Sequence, residues 1–144
     1  MSFVLPDPAT PYGARVADRL RTEHIIWIVT TSASGAPQPN PVWFLWDGSS
    51  FLIYSLADAA RVAHIRRNPR IALHFNSDAN GDDIVVFTGE AREALDAPSA
   101  DQNPAYLARY RDRIDRNFGG PKGFAAKYSL ALRVVPDKLR GFLS

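Results

Sequence analysis

The Asp47-Gly48 pair separates two runs rich in apolar and aromatic residues, Val42-Trp43-Phe44-Leu45-Trp46 and Phe51-Leu52-Ile53-Tyr54-Ser55. Asp-Gly readily takes the positive-φ turn that joins antiparallel strands, whereas parallel neighbours need a long crossover. The two runs are therefore predicted to form a hairpin, and a doubly wound parallel sheet is disfavoured. Similar runs recur along the chain. Ile25-Ile26-Trp27-Ile28-Val29-Thr30-Thr31 leads into the turn Ser32-Ala33-Ser34-Gly35. Ile71-Ala72-Leu73-His74-Phe75 and the run from Ile84 to Ala91 flank the turn Asp78-Ala79-Asn80-Gly81, and Leu130 to Val135 stops at Pro136. All are rich in the residues that fit a pleated surface, and Gly89 inside the fifth run signals a bulge. Six strands with short connections are expected to close into an antiparallel barrel, because closure removes the unpaired edges.

Three helices are predicted around this barrel. Thr10 caps and Pro11 opens the first, in which Val16 and Leu20 begin an apolar stripe through Arg21. Asp58 is expected to cap a short second helix carrying Val62 and Ile65, which ends at Asn68-Pro69 because the residue before proline avoids helical torsions. Asn103-Pro104 opens a charged third helix through Phe118, and Gly119-Gly120 closes it. The expected class is mainly β with a few helices. A chain of 144 residues has room for one core, so residues 1–144 are read as a single domain.

Composition narrows the chemistry. Cysteine is absent, which removes disulfides, thiolate metal sites and cysteine nucleophiles together. His24, His64 and His74 show no metal-ligand spacing, no serine sits in a nucleophile elbow, and no glycine-rich phosphate loop occurs. A formal charge of +2 is too small to suggest a nucleic-acid footprint, and the alternating charges from Arg109 to Arg116 read as a solvated helix face. No apolar run approaches the ~20 residues of a membrane span, and the opening residues lack the pattern of a secretory signal. A cytoplasmic protein without membrane or nucleic-acid partners is expected, with any redox chemistry carried by a bound cofactor.

The segment from Asn40 to Arg70 holds the strongest functional signal. A strand ending in Tyr54-Ser55 runs towards a helix carrying Arg61, with Arg66, Arg67 and Arg70 beyond. A hydroxyl, a helix start and a guanidinium are the ingredients of an anion site. Arg66, Arg67 and Arg70 read as a solvated face.

The motif P-V-W-F-x-x-D-G-x-x-F-x-x-Y-S, followed by R-V-x-x-I-R-R-N-P-R-I-A-L, resembles the pyridoxamine phosphate oxidase-like flavin and deazaflavin oxidoreductases, and within them the coenzyme F420 branch. The resemblance implies a six-stranded split β-barrel of the FMN-binding type that forms a homodimer, with cofactors in grooves between the subunits. It places Val42, Trp43 and Phe44 along the ring of the cofactor, partly through their backbone, and Tyr54, Ser55 and Arg61 near its phosphate; Asn40, Pro41 and Ala60 complete the expected cofactor-binding set. Arg61 matches a basic phosphate-binding position that is usually lysine. The oxidases proper carry Arg, Lys and Arg at the positions of Pro39, Phe44 and Ala60, so pyridoxal phosphate synthesis is not implied. His64 stands where the family commonly has Asn.

The expected function is hydride transfer between coenzyme F420 and a small, electron-poor organic substrate. The alternatives are an FMN-binding reductase or oxidase of the same fold, and a non-catalytic flavin- or haem-binding protein. The residues single out no catalytic acid; bulk water, Tyr54 and Lys122 stand as candidate proton sources. Lys122 and Lys127 flank Phe124 in a stretch read as a loop-to-helix junction.

Overall fold

A computed structural model describes residues 3–144. Helix α1 (Pro11–Thr22) precedes strands β1 (Ile26–Thr31), β2 (Pro37–Val42), β3 (Leu45–Trp46) and β4 (Phe51–Ser55). Helix α2 (Ala60–Arg67), β5 (Arg70–His74) and β6 (Ile84–Glu93) follow, then α3 (Pro104–Phe118), α4 (Pro121–Lys127) and β7 (Leu130–Phe142). The strands form one antiparallel sheet in the order β2-β1-β5-β6-β7-β4-β3.

The sheet is strongly curled. Ile28 of β1, Val42 of β2 and Phe51 of β4 belong to one buried cluster although the sheet order sets β4 four strands from β1. Phe44 reaches Phe51 with ring centroids 5.9 Å apart, and Phe51 meets Phe87 of β6 at 5.1 Å. Only a half-barrel brings these strands around one core, as expected of a split barrel.

Seven strands replace the predicted six. Pro37–Val42, passed over because of its prolines, pairs with β1 along its whole length, with Pro37, Pro39 and Pro41 opposite Thr31, Val29 and Trp27. A proline has no N–H to give, so it fits only where that group would point away from the partner strand, and alternation lets Gln38, Asn40 and Val42 carry the ladder. The outer edge of β2 therefore offers no donors at its three proline positions, which blunts it against strand addition. The predicted run Val42 to Trp46 is interrupted at Trp43-Phe44, leaving only Leu45-Trp46 as β3.

The hairpin is present, with a longer turn than two residues. Trp46 pairs with Phe51, so Asp47 to Ser50 form the loop, and the Asp47 carboxylate accepts from the Ser49 and Ser50 N–H groups at 2.9 and 2.7 Å. Gly48 has φ of 99°, the torsion for which glycine was expected there. At Gly89 the β6–β7 register shifts, and a side chain there would run into the Val135 carbonyl. That irregularity accommodates Pro136, so β7 continues to Phe142 instead of ending at Val135.

The helices differ from expectation in two places. Ala59 precedes α2 with no side-chain cap, so Asp58 does not cap it. Gly119 closes α3 with φ of 70°, but Pro121 then opens a further helix, α4, where a junction was expected. Tyr106, Tyr110 and Ile114 form the buried stripe of α3 and pack with Phe124 of α4 on the outer face of β4. Strand β4 is buried on both sides as a result: Phe51 and Ile53 point into the barrel, Leu52 and Tyr54 into the helical layer.

Candidate functional site

The helical layer does not close completely over β4. A cavity of ≈ 220 Å³ remains, walled by Pro41, Val42 and Trp43 on one side, Tyr54, Leu56, Ala59 and Arg61 on another, and Tyr106, Phe118, Phe124 and Tyr128 on the helical side. The chain path explains the aromatic wall. Phe44 enters the barrel core, so Trp43 on the opposite side of the backbone lies beneath α3 and α4. There it stacks between Tyr110 (4.6 Å, 2° between planes) and Phe124 (5.4 Å, 11°). Phe124 in turn stacks on Tyr128 at 4.7 Å. Four rings therefore form a continuous pile beside the cavity.

Backbone contacts hold this wall in place. The Tyr110 hydroxyl accepts from the Phe44 N–H at 2.9 Å and lies 2.8 Å from the His24 carbonyl and 2.9 Å from that of Phe44, its one proton serving one of the two. Arg109 donates to the carbonyls of Phe44 at 3.1 Å, Arg21 at 2.7 Å, and Glu23. These bonds satisfy the backbone where β2 and β3 break apart, and they lock α3 to the strand that carries Trp43.

Among the described residues, Arg61 is the one charged residue on the cavity wall. Its Nη1 donates to the Ser55 hydroxyl at 3.0 Å, and that hydroxyl donates onward to the Leu56 carbonyl at 3.0 Å. Ser55 is fully buried, so the pair fixes the guanidinium. The Arg61 Nε is buried and has no hydrogen-bond partner among the described residues. Burial pulls its pKa below the usual arginine value, an effect that Tyr128 offsets only in part. Arginine nonetheless keeps its proton under any ordinary condition, so this is a cation held part-way out of water with a donor unspent.

Of the residues singled out in the sequence, Pro41, Val42, Trp43, Tyr54 and Arg61 line this cavity, and Ser55 joins it through Arg61. Asn40 is exposed on β2, and Ala60 is exposed in the first turn of α2, outside the wall. The Phe44 side chain lies in the barrel core, leaving only its backbone near the site. Tyr54 donates to the Pro98 carbonyl at 2.7 Å and accepts from Asn103 at 3.1 Å, and burial raises its pKa, so its proton is committed. Arg66 and Arg70 pair with Glu93 and Asp137, and Arg67 donates to the Thr31 carbonyl at 3.0 Å. Lys122 and Lys127 are exposed. Sequence reasoning missed Tyr106, Phe118, Phe124 and Tyr128 as site residues. The spacing of Tyr106, Tyr110 and Ile114, each four apart, was the available signal for a buried aromatic face on α3.

The arrangement suits a ligand with an aromatic body and a negative group: stacked rings, an apolar wall and a fixed guanidinium with a free donor. The sequence profile described as pyridoxamine 5'-phosphate oxidase matches residues 13–142. The chain belongs to the pyridoxamine 5'-phosphate oxidase family. Solved structures of similar fold include an F420 reductase (TM-score 0.66, 22% identity, 85% of this chain and 94% of that one). A conserved hypothetical protein from Mycobacterium tuberculosis, Rv2991, superposes with a TM-score of 0.69 at 19% identity, covering 88% of this chain and 81% of that one. HutZ, a haem storage protein from Vibrio cholerae, gives 0.62 at 12% identity, covering 89% and 92%. At these identities the likeness establishes the fold that this family member shares with them. No curated protein matches the sequence.

An anionic flavin-type cofactor passes the chemical test of the residues present, because the Arg61 guanidinium on the wall is held by Ser55 and keeps hydrogen-bonding capacity that no described residue uses. The cavity is smaller than the ~300–1,000 Å³ usual for a small-molecule site, so this chain encloses only part of such a ligand.

Proposed function

We propose that this family member is a coenzyme F420-dependent oxidoreductase acting on a small, electron-poor organic substrate, as a homodimer whose second subunit completes the groove. The observation that carries the reading is Arg61 on the wall of an aromatic cavity, its guanidinium fixed by Ser55 and its buried Nε unpaired among the described residues. The fold it shares with an F420 reductase supports the same cofactor class. The bound deazaflavin supplies the hydride-carrying ring carbon.

The chain's own residues supply binding and orientation. Arg61, held by Ser55, grips the phosphate through a charge-assisted bond. Pro41 and Val42 present an apolar wall to the ring beside the edge of Trp43, which the stacked Tyr110 and Phe124 hold in place. The same rings keep water from one side of the reacting centre.

Fluorescence titration with oxidised F420, reduced F420 and FMN tests this directly. Saturable binding of F420, followed by consumption of its reduced form with conjugated acceptors, is the expected result. A yellow protein retaining FMN and ignoring F420 would transfer the reading to a flavin enzyme. Binding of a flavin or haem without turnover across a broad acceptor panel would make it a carrier. Sedimentation showing a stable monomer of full coenzyme affinity would contradict the shared groove.

A further inference from the structure

Two buried side-chain polar atoms lack a hydrogen-bond partner among the described residues, Arg61 Nε and the hydroxyl of Tyr106. Both residues line the same cavity. A buried hydroxyl without a partner is unfavourable, and two residues that carry such atoms on one cavity wall point to an occupant.

Tyr106 cannot resolve its own deficit. Its N–H is capped by the Asn103 side chain at 3.2 Å, which fixes the first turn of α3. Its ring meets Tyr54 edge-on at 4.8 Å and lies 4.9 Å from Tyr110 and 5.9 Å from Phe124, so the phenol is fully buried among aromatic rings. The neighbouring polar groups are spent: the Tyr54 hydroxyl on Pro98 and Asn103, the Tyr110 hydroxyl on the backbone of Phe44 and His24, and Arg109 on three carbonyls. Burial also drives the Tyr106 pKa far above the usual tyrosine value, so the group stays neutral and keeps its proton.

We infer that Tyr106 is a ligand-binding residue whose neutral hydroxyl donates a hydrogen bond to an uncharged acceptor, a carbonyl oxygen or ring nitrogen, on the same coenzyme that Arg61 holds by its phosphate. This rests on the reading of the cavity as a coenzyme site. It adds a division of labour. Arg61 takes the charged end of the ligand, and Tyr106 takes a polar atom of its uncharged part, where no cation is available to hold a second anion.

Tyr106→Phe keeps the ring and removes only the hydroxyl. In the ligand-free protein its melting temperature is expected to equal or exceed that of the parent, because an unsatisfied group is lost. Affinity for F420, or for FMN if that is the ligand bound, is expected to fall roughly 3- to 10-fold. That loss should be the same at low and high salt, whereas the loss in Arg61→Ala should shrink as salt screens the phosphate contact. A lowered melting temperature of the ligand-free variant would show the hydroxyl to be already satisfied and overturn the inference. Unchanged affinity in Tyr106→Phe, with the parent binding normally, would overturn the Tyr106 role alone. A parent protein that binds neither coenzyme would overturn this inference and the proposed function together.

Discussion

The inside of the half-barrel and the helical layer outside β4 are both built from aromatic rings, yet they are built differently. Inside, Phe44, Phe51, Phe75 and Phe87 meet at tilted or edge-on angles among aliphatic side chains and carry no polar atoms. Outside, Trp43, Tyr110, Phe124 and Tyr128 stack nearly parallel, and the layer holds four tyrosine hydroxyls, that of Tyr106 unsatisfied, with the unpaired Arg61 Nε on the neighbouring helix α2. Tilted packing without polar atoms fills space and stabilises. Parallel stacking makes a firm aromatic wall, and the cavity beside it has room for part of a ligand. On the proposed function, stability resides in the barrel and reception in the layer.

The largest expected effect falls on the barrel. Phe51→Ala should lower unfolding stability by about 3–5 kcal/mol in a denaturant titration, because the rings around it cannot collapse into the gap. A loss below 1 kcal/mol would break the comparison, since the half-barrel would then not be a close-packed core. Arg61→Ala should do the reverse: coenzyme binding weaker by about 1.5–3 kcal/mol with stability unchanged or raised, because a partly desolvated, unpaired cation is removed. An unchanged dissociation constant counts against the phosphate role.

A smaller effect sharpens the boundary between the regions. Asn103 caps α3 and donates to Tyr54, so Asn103→Ala should cost about 0.5–2 kcal/mol by thermal unfolding. It should also weaken coenzyme binding, because it loosens Tyr54 and Tyr106 together.

The smallest effect is a pH dependence on the barrel side. The Arg15 guanidinium beside Asp83 holds that carboxyl below its ordinary value of 3.8. A depressed folded pKa contributes stability that is present above the unfolded value and lost as pH falls through the folded one. Thermal unfolding of Asp83→Asn should therefore be less pH-sensitive than the parent below about pH 4; an identical acid profile would remove the Arg15–Asp83 contact from the account.

The same division explains what could be seen in the sequence. Strands β1, β4, β5 and β6 announce themselves through β-branched and aromatic runs bounded by turn residues, and Asp47-Gly48 fixes the hairpin. Strand β2 was hidden because three prolines read as breakers when taken singly, and only their alternation makes them compatible with a ladder. The end of β7 was hidden because Pro136 is tolerated through a register shift that belongs to its partner, β6. In the site, the half carried by the strand and α2 was legible, since Trp43, Tyr54, Ser55 and Arg61 lie on one short stretch of chain. The half carried by α3 and α4 was not, because Tyr106, Phe124 and Tyr128 sit among charged residues and become site residues only when those helices fold back over β4.

The most direct test of the central claim is a crystal structure of the protein with coenzyme F420 bound at saturation. The expected result is a phosphate oxygen within hydrogen-bonding distance of Arg61 Nε and the ring against Pro41, Val42 and Trp43. A coenzyme bound elsewhere, with Arg61 still unpaired and the cavity closed by its own side chains, would contradict the account.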